Sequence, residues 1–188
     1  MKKIKFLILV TLLITLISNA QIRKGNWMTG GNLSFANSVN YKNDSHEINS
    51  KSIFINISPN VGYFIFDKLS IGTIYQYSSN NVKFEDSKQI TKSSYIGPFV
   101  RYYILKPDKV ANIFLETSYN FSTLKNNKTV FNTKVGFVYF LNSAVGLELT
   151  LNYSIIKNRF NNDLFSNSTN KNLILGLGFQ IHLERGKN

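Results

Sequence analysis

The sequence predicts an all-β fold, an eight-stranded antiparallel up-and-down transmembrane β-barrel, and two observations carry this prediction. From Trp27 to Leu183 the chain repeats stretches of roughly ten residues that are apolar at every second position. The connections between these stretches alternate between short turns and long polar segments. Short turns at one end and long loops at the other are typical of a barrel that spans a membrane.

The last stretch shows the alternation most clearly. One set of alternate residues is apolar: Leu173, Leu175, Leu177, Phe179, Ile181 and Leu183. The other set is small or polar: Asn172, Gly176, Gly178, Gln180 and His182. Successive side chains of a strand point to opposite faces, so one face suits lipid and the other suits a polar interior.

Seven earlier stretches follow the same pattern, the first of them opening at Trp27. Their predicted lipid-facing residues include Leu33 and Phe35, Ile53 to Val61, Leu69 to Tyr77, Ile96 to Ile104, Ile113 to Phe121, Phe131 to Tyr139 and Val145 to Tyr153, taken at every second position. Short turns are predicted at 66–68, 106–108 and 142–143, and long external loops at 37–49, 78–92, 122–128 and 156–170.

Two prolines interrupt this pattern. Pro59 and Pro98 lie inside predicted strands, where each lacks the N–H group that would join the hydrogen-bond ladder. We therefore expect a bulge or a local break at each proline, near the rim that carries the short turns.

The N-terminus has the three parts of a secretory signal. Lys2, Lys3 and Lys5 precede an apolar run from Phe6 to Ile17, and small residues follow at 18–20. The apolar run is shorter than the ~20 residues that a spanning helix needs. The sequence thus predicts a cleaved signal peptide at 1–20 and one barrel domain at 21–188, exported to the outer membrane of a Gram-negative envelope.

Composition narrows the function classes. The chain has no cysteine, which excludes a disulfide framework and any thiolate metal site. The formal net charge is +12, of which three units belong to the signal segment. Export and the lack of a concentrated basic patch argue against nucleic acid as a partner, whereas basic loops suit an anionic lipid surface.

Four charged residues fall on inward positions of strands four to seven. They are Arg101, Glu116, Lys134 and Glu148, one on each strand and alternating in sign. Ions in a confined lumen are costly unless they are paired, and an eight-stranded barrel has an interior only wide enough for side chains. The pattern therefore favours a salt-bridge network that plugs the lumen, with a charged constriction or gated pore as the alternative.

No set of residues indicates catalysis, a cofactor or a metal. Of the two histidines, His46 lies in a predicted loop and His182 faces inward at the end of the last strand. Neither has a nucleophile in a recognisable pattern, and His182 lies at the wrong end for a barrel enzyme that modifies lipid A. Residues 161–163 lack the repeated carboxylates and the glycine of a calcium loop.

Three segments resemble the outer-membrane β-barrel domain family, the small OmpA/OmpX-like barrels. They are Lys24–Met28, Gly97–Tyr103 and Leu175–Phe179, and the resemblance covers essentially the whole chain after the signal segment. It implies a monomeric barrel that inserts into outer-membrane lipid with the help of barrel-assembly machinery. The family is a scaffold used for adhesion, envelope integrity and small-molecule passage, so it does not specify a role.

The sequence therefore predicts a structural or surface-interaction protein that contacts an extracellular ligand through its long loops. Two alternatives remain open. One is a small-solute channel, and the other is an exported soluble barrel of the lipocalin type that binds a small apolar ligand. The inward Gly, Asn and Ser residues look too polar for the dry core that a lipocalin needs.

Overall fold

A computed structural model describes residues 22–41, 48–84, 87–124, 128–158 and 168–184 of the chain. The strands are β1 (Trp27–Tyr41), β2 (Ile48–Phe66), β3 (Leu69–Lys83), β4 (Lys88–Tyr103), β5 (Ala111–Ser122), β6 (Lys128–Phe140), β7 (Val145–Asn158) and β8 (Ser168–Leu183). The predicted signal peptide at 1–20 and His46 lie outside the described residues.

The eight strands form one closed barrel in chain order, and every neighbouring pair is antiparallel. The predicted all-β, eight-stranded, up-and-down fold is therefore confirmed, including its first residue at Trp27 and its last at Leu183. Within the described ranges no helix has the length and apolarity needed to cross a membrane.

The outer surface carries an apolar belt. Leu175, Leu177 and Leu149 are 64%, 68% and 52% exposed, and the other predicted lipid-facing residues are also exposed or half-buried, except Val145. Val145 is buried because it starts β7 within a turn, where its N–H and that of Ala144 donate to the Asn142 side chain. The belt on β8 runs from Leu173 to Leu183, which gives a height of about 25 Å for a tilted strand.

Four predicted loops are shorter than the sequence indicated. Residues 37–41, 78–83, 88–92, 156–158 and 168–170 belong to strands, as do Ser122 and Lys128 at strand ends. The parts of these loops at 42–47, 85–86, 125–127 and 159–167 lie outside the described residues. The prediction failed because these segments are polar, whereas strand pairing joins backbone groups and needs no apolar side chain. In the β3–β4 hairpin, for example, Asn80 pairs with Thr91.

Both prolines produce the expected local break without a bulge. The β2–β3 pairing skips Ser58 and Pro59, and the β4–β5 pairing skips Gly97 and Pro98, yet the register is the same on both sides of each gap. On their other sides Pro59 pairs with Gly31 and Pro98 with Thr73. The gaps lie well inside their strands, so the expected position near the rim was wrong.

The seam between β1 and β8 is shorter than the pairing of β8 with its other neighbour, β7. These strands pair at seven positions, from Trp27–Leu183 to Leu33–Leu177. Above Leu33 and Leu177, β1 continues to Tyr41 paired with β2, and β8 starts at Ser168 paired with β7. No pair joins β1 to β8 in this upper part of the described strands.

Candidate functional site: the barrel lumen

The structure brings the four predicted lumen charges together in the middle of the barrel. Pairing places Arg101 beside Glu116, and Glu116 beside Lys134, on three consecutive strands. The Arg101 guanidinium and the Lys134 ammonium each lie 2.6 Å from a different oxygen of the Glu116 carboxylate. Glu116 therefore bridges two cations, and all three side chains are buried.

Glu148 joins this network from across the lumen. In the β6–β7 pairing Lys134 faces Asn152, so Glu148 lies four residues nearer the short-turn end of β7. Its Oε1 atom accepts from Nη1 of Arg101 at 2.5 Å, which links β7 to β4. Sequence spacing alone suggested contact with the neighbouring strand, but the stagger between strands in a barrel brings Glu148 to a more distant partner.

Lys134 makes a second side-chain contact across the lumen. Its Nζ atom donates to Oδ1 of Asn32 on β1 at 3.1 Å, in addition to its ion pair with Glu116. The network of Arg101, Glu116, Lys134 and Glu148 therefore ties β1, β4, β5, β6 and β7 together through side chains. We call these four residues the charge layer.

An aromatic layer lies directly beneath the charge layer, toward the short turns. It consists of fully buried apolar side chains, including Met28, Phe64, Phe99, Tyr103, Phe114, Val138 and Phe140. The Arg101 guanidinium carbon lies 4.0 Å from the centre of the Phe114 ring, so the cation rests on an aromatic face. Ile22, from the segment before β1, is also fully buried in this cluster.

Inward glycines make room for these rings. A side chain at Gly136 would overlap the Phe114 ring, and one at Gly62 or Gly72 would press on Phe99. These three glycines therefore leave space for aromatic side chains, whereas Gly176 and Gly178 face polar side chains. The expectation of a polar interior was wrong for this end of the barrel, and the sequence signal was an inward Phe paired with an inward Gly, as in Phe114 and Gly136.

His182 belongs to the aromatic layer. It is buried, its Nε2 atom lies 3.4 Å from the Tyr103 hydroxyl, and its ring contacts those of Phe64 and Phe140. Tyr103 in turn accepts a hydrogen bond from Arg101 at 3.2 Å. His182 thus packs among aromatic rings at the short-turn end, the position that its place in the sequence predicted.

An amide layer covers the charge layer on the long-loop side. Asn120 and Asn132 both donate to the Gln76 side-chain oxygen at 3.3 Å and to the Ser118 hydroxyl at about 3 Å. Ser154 donates to Asn132 at 2.6 Å. These side chains come from four strands, so the amide layer links β3, β5, β6 and β7 above the charge layer.

The three layers can pair charges and exclude solvent, but they do not form a metal site. Within the described residues no group of three or more His, Asp or Glu side chains is placed to hold a metal ion. The charge layer holds two cations and two anions, so it is neutral as a whole. A neutral, hydrogen-bonded cluster between an amide layer and an aromatic layer fits a plug better than an ion pathway.

Comparison with known proteins supports the architecture. No protein-family model matches the sequence, and no curated protein matches it. A solved structure does match: the crystal structure of the outer membrane protein OprG from Pseudomonas aeruginosa, with a TM-score of 0.53 and 12% sequence identity. The match covers 88% of this chain and 99% of that chain. The fold is that of an outer-membrane β-barrel. At this identity the likeness describes the fold and carries no information on what passes through or binds to the barrel.

Proposed function

We propose that this chain is an integral outer-membrane protein whose plugged lumen makes it a scaffold, and that it serves a structural or surface-interaction role through its long-loop end. The observation that supports a plugged lumen is the set of three short ion pairs that meet at Arg101 and Glu116. Side chains from opposite walls fill the centre of the barrel, as the narrow interior of eight strands requires.

The apolar belt supports the membrane location. Leucine, isoleucine and aromatic side chains are exposed around the middle of the barrel, whereas a soluble lipocalin-like barrel would bury its apolar residues inside. We further propose export through the signal segment 1–20, insertion by barrel-assembly machinery and a monomeric state in lipid. Fractionation tests the location: the protein should sediment with outer membranes and change gel mobility on heating. Recovery in a soluble fraction without detergent would contradict it.

A planar-bilayer recording tests the plug. The purified barrel should give negligible steady current, because buried side chains from opposite walls contact each other across the charge layer. The control is Arg101→Ala combined with Glu116→Ala, which removes the centre of the plug and should admit measurable current if the barrel still folds. A stable, ion-selective conductance in the unaltered barrel would make a small-solute channel the better assignment.

The surface-interaction role rests on the long hairpins. In β3 and β4 the pairing continues to Lys83 and Lys88, beyond the apolar belt, and so holds the connection clear of the lipid. Cells that lack the protein should lose both resistance to detergents and attachment to surfaces. A barrel with residues 80–91 replaced by a two-residue turn should restore the first property but not the second. Full restoration of both would argue against a role for this hairpin.

A further inference from the structure

A polar cavity lies above the amide layer, and its chemistry differs from that of the plug. Its volume is about 670 Å³, within the range of about 300–1,000 Å³ that is usual for small-molecule sites. Most of the lining residues are uncharged amides or hydroxyls: Ser34, Asn56, Gln76, Ser78, Asn80, Thr91, Ser93, Asn132, Asn152, Ser154, Asn170 and Asn172. We call this cavity the polar cup.

The lining predicts the class of ligand. Amide side chains offer both donors and acceptors, and hydroxyls do the same. No carboxylate is among the described residues that line the cup, and the one charged side chain, Lys171, is exposed. An ionised ligand would lose its hydration without gaining a buried counter-charge. A ligand with several neutral hydroxyl groups would instead find donors and acceptors among these amides and hydroxyls, beside the aliphatic Val130, Ile156 and Ile174.

Two aromatic side chains complete the match. Phe54 and Tyr95 also line the cup, and Tyr95 is buried. Aromatic faces beside a few convergent polar groups suit a ring that is apolar on its faces and polar at its edge. We propose that the polar cup binds an uncharged saccharide group. This inference goes beyond the scaffold role, because the plug would serve as the floor of a binding site.

The saccharide has two possible routes into the cup, and the second follows from the β1–β8 seam. Five consecutive residues of β8, 170–174, line the cup, although alternate residues of a strand point to opposite faces. The cavity therefore extends around the free edge of β8, where pairing with β1 has ended. Leu173, on this edge, is 65% exposed and belongs to the apolar belt.

As far as the described residues go, the cup is thus open toward the long-loop end and also sideways at the seam. A free saccharide would enter from the external side. The headgroup of a membrane glycolipid would enter along the seam while its chains stayed in the belt. The ligand chemistry is the same in both cases, and the source can be decided by experiment.

Binding is measured by calorimetry on the refolded chain in phosphatidylcholine nanodiscs, with maltose as the free probe and dodecyl maltoside as the membrane-borne probe. Ser78→Trp fills the cup and should weaken binding of the occupying probe by at least about tenfold. Ser79→Trp is the matched control, because it adds the same side chain to the next residue of β3, which does not line the cup. It should leave binding unchanged.

A disulfide across the seam identifies the source. The chain has no cysteine of its own, so Ala36→Cys with Ile174→Cys places a single pair of thiols where the β1–β8 register would continue. Loss of free thiol on oxidation verifies that the lock has formed. Loss of maltoside binding in the oxidised form and its return on reduction would identify the membrane as the source. Binding of maltose that is insensitive to the lock would identify the external solution.

Three results would overturn the proposal. The first is no binding of either probe to a barrel that has folded by gel mobility. The second is equal loss of binding in Ser78→Trp and Ser79→Trp. The third is tighter binding of glucuronate than of glucose, which would mean that the cup selects an anion. None of these results bears on the planar-bilayer current, so the failure of this inference is distinguishable from failure of the plug.

Discussion

Neutralising Glu116 should destabilise the barrel because Lys134 loses its ionic partner, whereas Arg101 keeps one. In Glu116→Gln, Arg101 keeps its 2.5 Å pair with Glu148, whereas Lys134 keeps only the neutral Asn32 oxygen at 3.1 Å. Breaking a buried pair so that one charge is left over costs about 3–5 kcal/mol. The charge layer then carries one excess positive charge in a site that is almost completely buried.

The compensating change is therefore Lys134→Met. It removes the stranded charge and keeps an unbranched side chain, so the double variant should lose only about 1–2 kcal/mol, since apolar replacement of a whole buried pair is often close to neutral. The double variant should therefore be about 2–3 kcal/mol more stable than Glu116→Gln alone. Pairing Glu116→Gln with Arg101→Met should recover less, because it strands both Lys134 and Glu148.

Urea-dependent folding into phosphatidylcholine vesicles measures these differences. Trp27 is the single tryptophan of the chain, lies half-exposed on the outer surface and packs 5.1 Å from the Tyr63 ring, so its fluorescence reports insertion. An exposed charge, Lys157→Met, serves as the control and should change stability by less than about 0.5 kcal/mol. Strictly additive losses for Glu116→Gln and Lys134→Met would refute the ion-pair account of the lumen.

Three further changes test other parts of the structure with the same folding assay. Leu149→Arg, on the apolar belt, should lower the free energy of unfolding by about 2–4 kcal/mol if the site is near the bilayer midplane. The inward Thr150→Ser should lower it by under about 1 kcal/mol. Equal losses would mean that the assignment of outward and inward side chains is wrong. Gly136→Ala should cost about 1–3 kcal/mol by overpacking against Phe114, and Phe114→Leu in the same chain should restore part of it. Pro98→Ala, followed by hydrogen exchange instead of folding, should leave the fold intact and introduce a slowly exchanging amide at residue 98 if the new N–H joins β5. Fast exchange of that amide would show that the gap does not depend on proline.

The sequence was sufficient for the strand order and the facing of side chains, because both follow from a period of two. Leu149 and Leu177 lie on the outer surface as their positions predict, and they pair directly with each other. It was also sufficient to select the four lumen charges, since a charge at an inward position is rare enough to be noticed. Their partners were harder to predict, because the contact of Glu148 with Arg101 depends on the stagger of the closed barrel.

Strand ends and the aromatic layer could not be predicted in the same way. Asn80 pairs with Thr91 within a hairpin although Asn is a poor strand former, because cross-strand hydrogen bonding decides such positions. The inward Phe64 and Phe114 lie near the short turns, where both faces of the strands are apolar. Polarity therefore does not distinguish the inner face from the outer face there. Pairing with an inward glycine was the remaining signal, and it requires the register to be known.

The short seam between β1 and β8 gives the lumen side chains a part in barrel closure during biogenesis. Seven backbone pairs join the two strands, while Lys134 reaches Asn32 on β1 and Gln180 donates to Asn60 on β2 at 3.0 Å. Both side chains that face the lower lumen from β8, Gln180 and His182, are buried. Pairing of the last strand with β1 and β7 is then the step that encloses the charge layer and the aromatic layer.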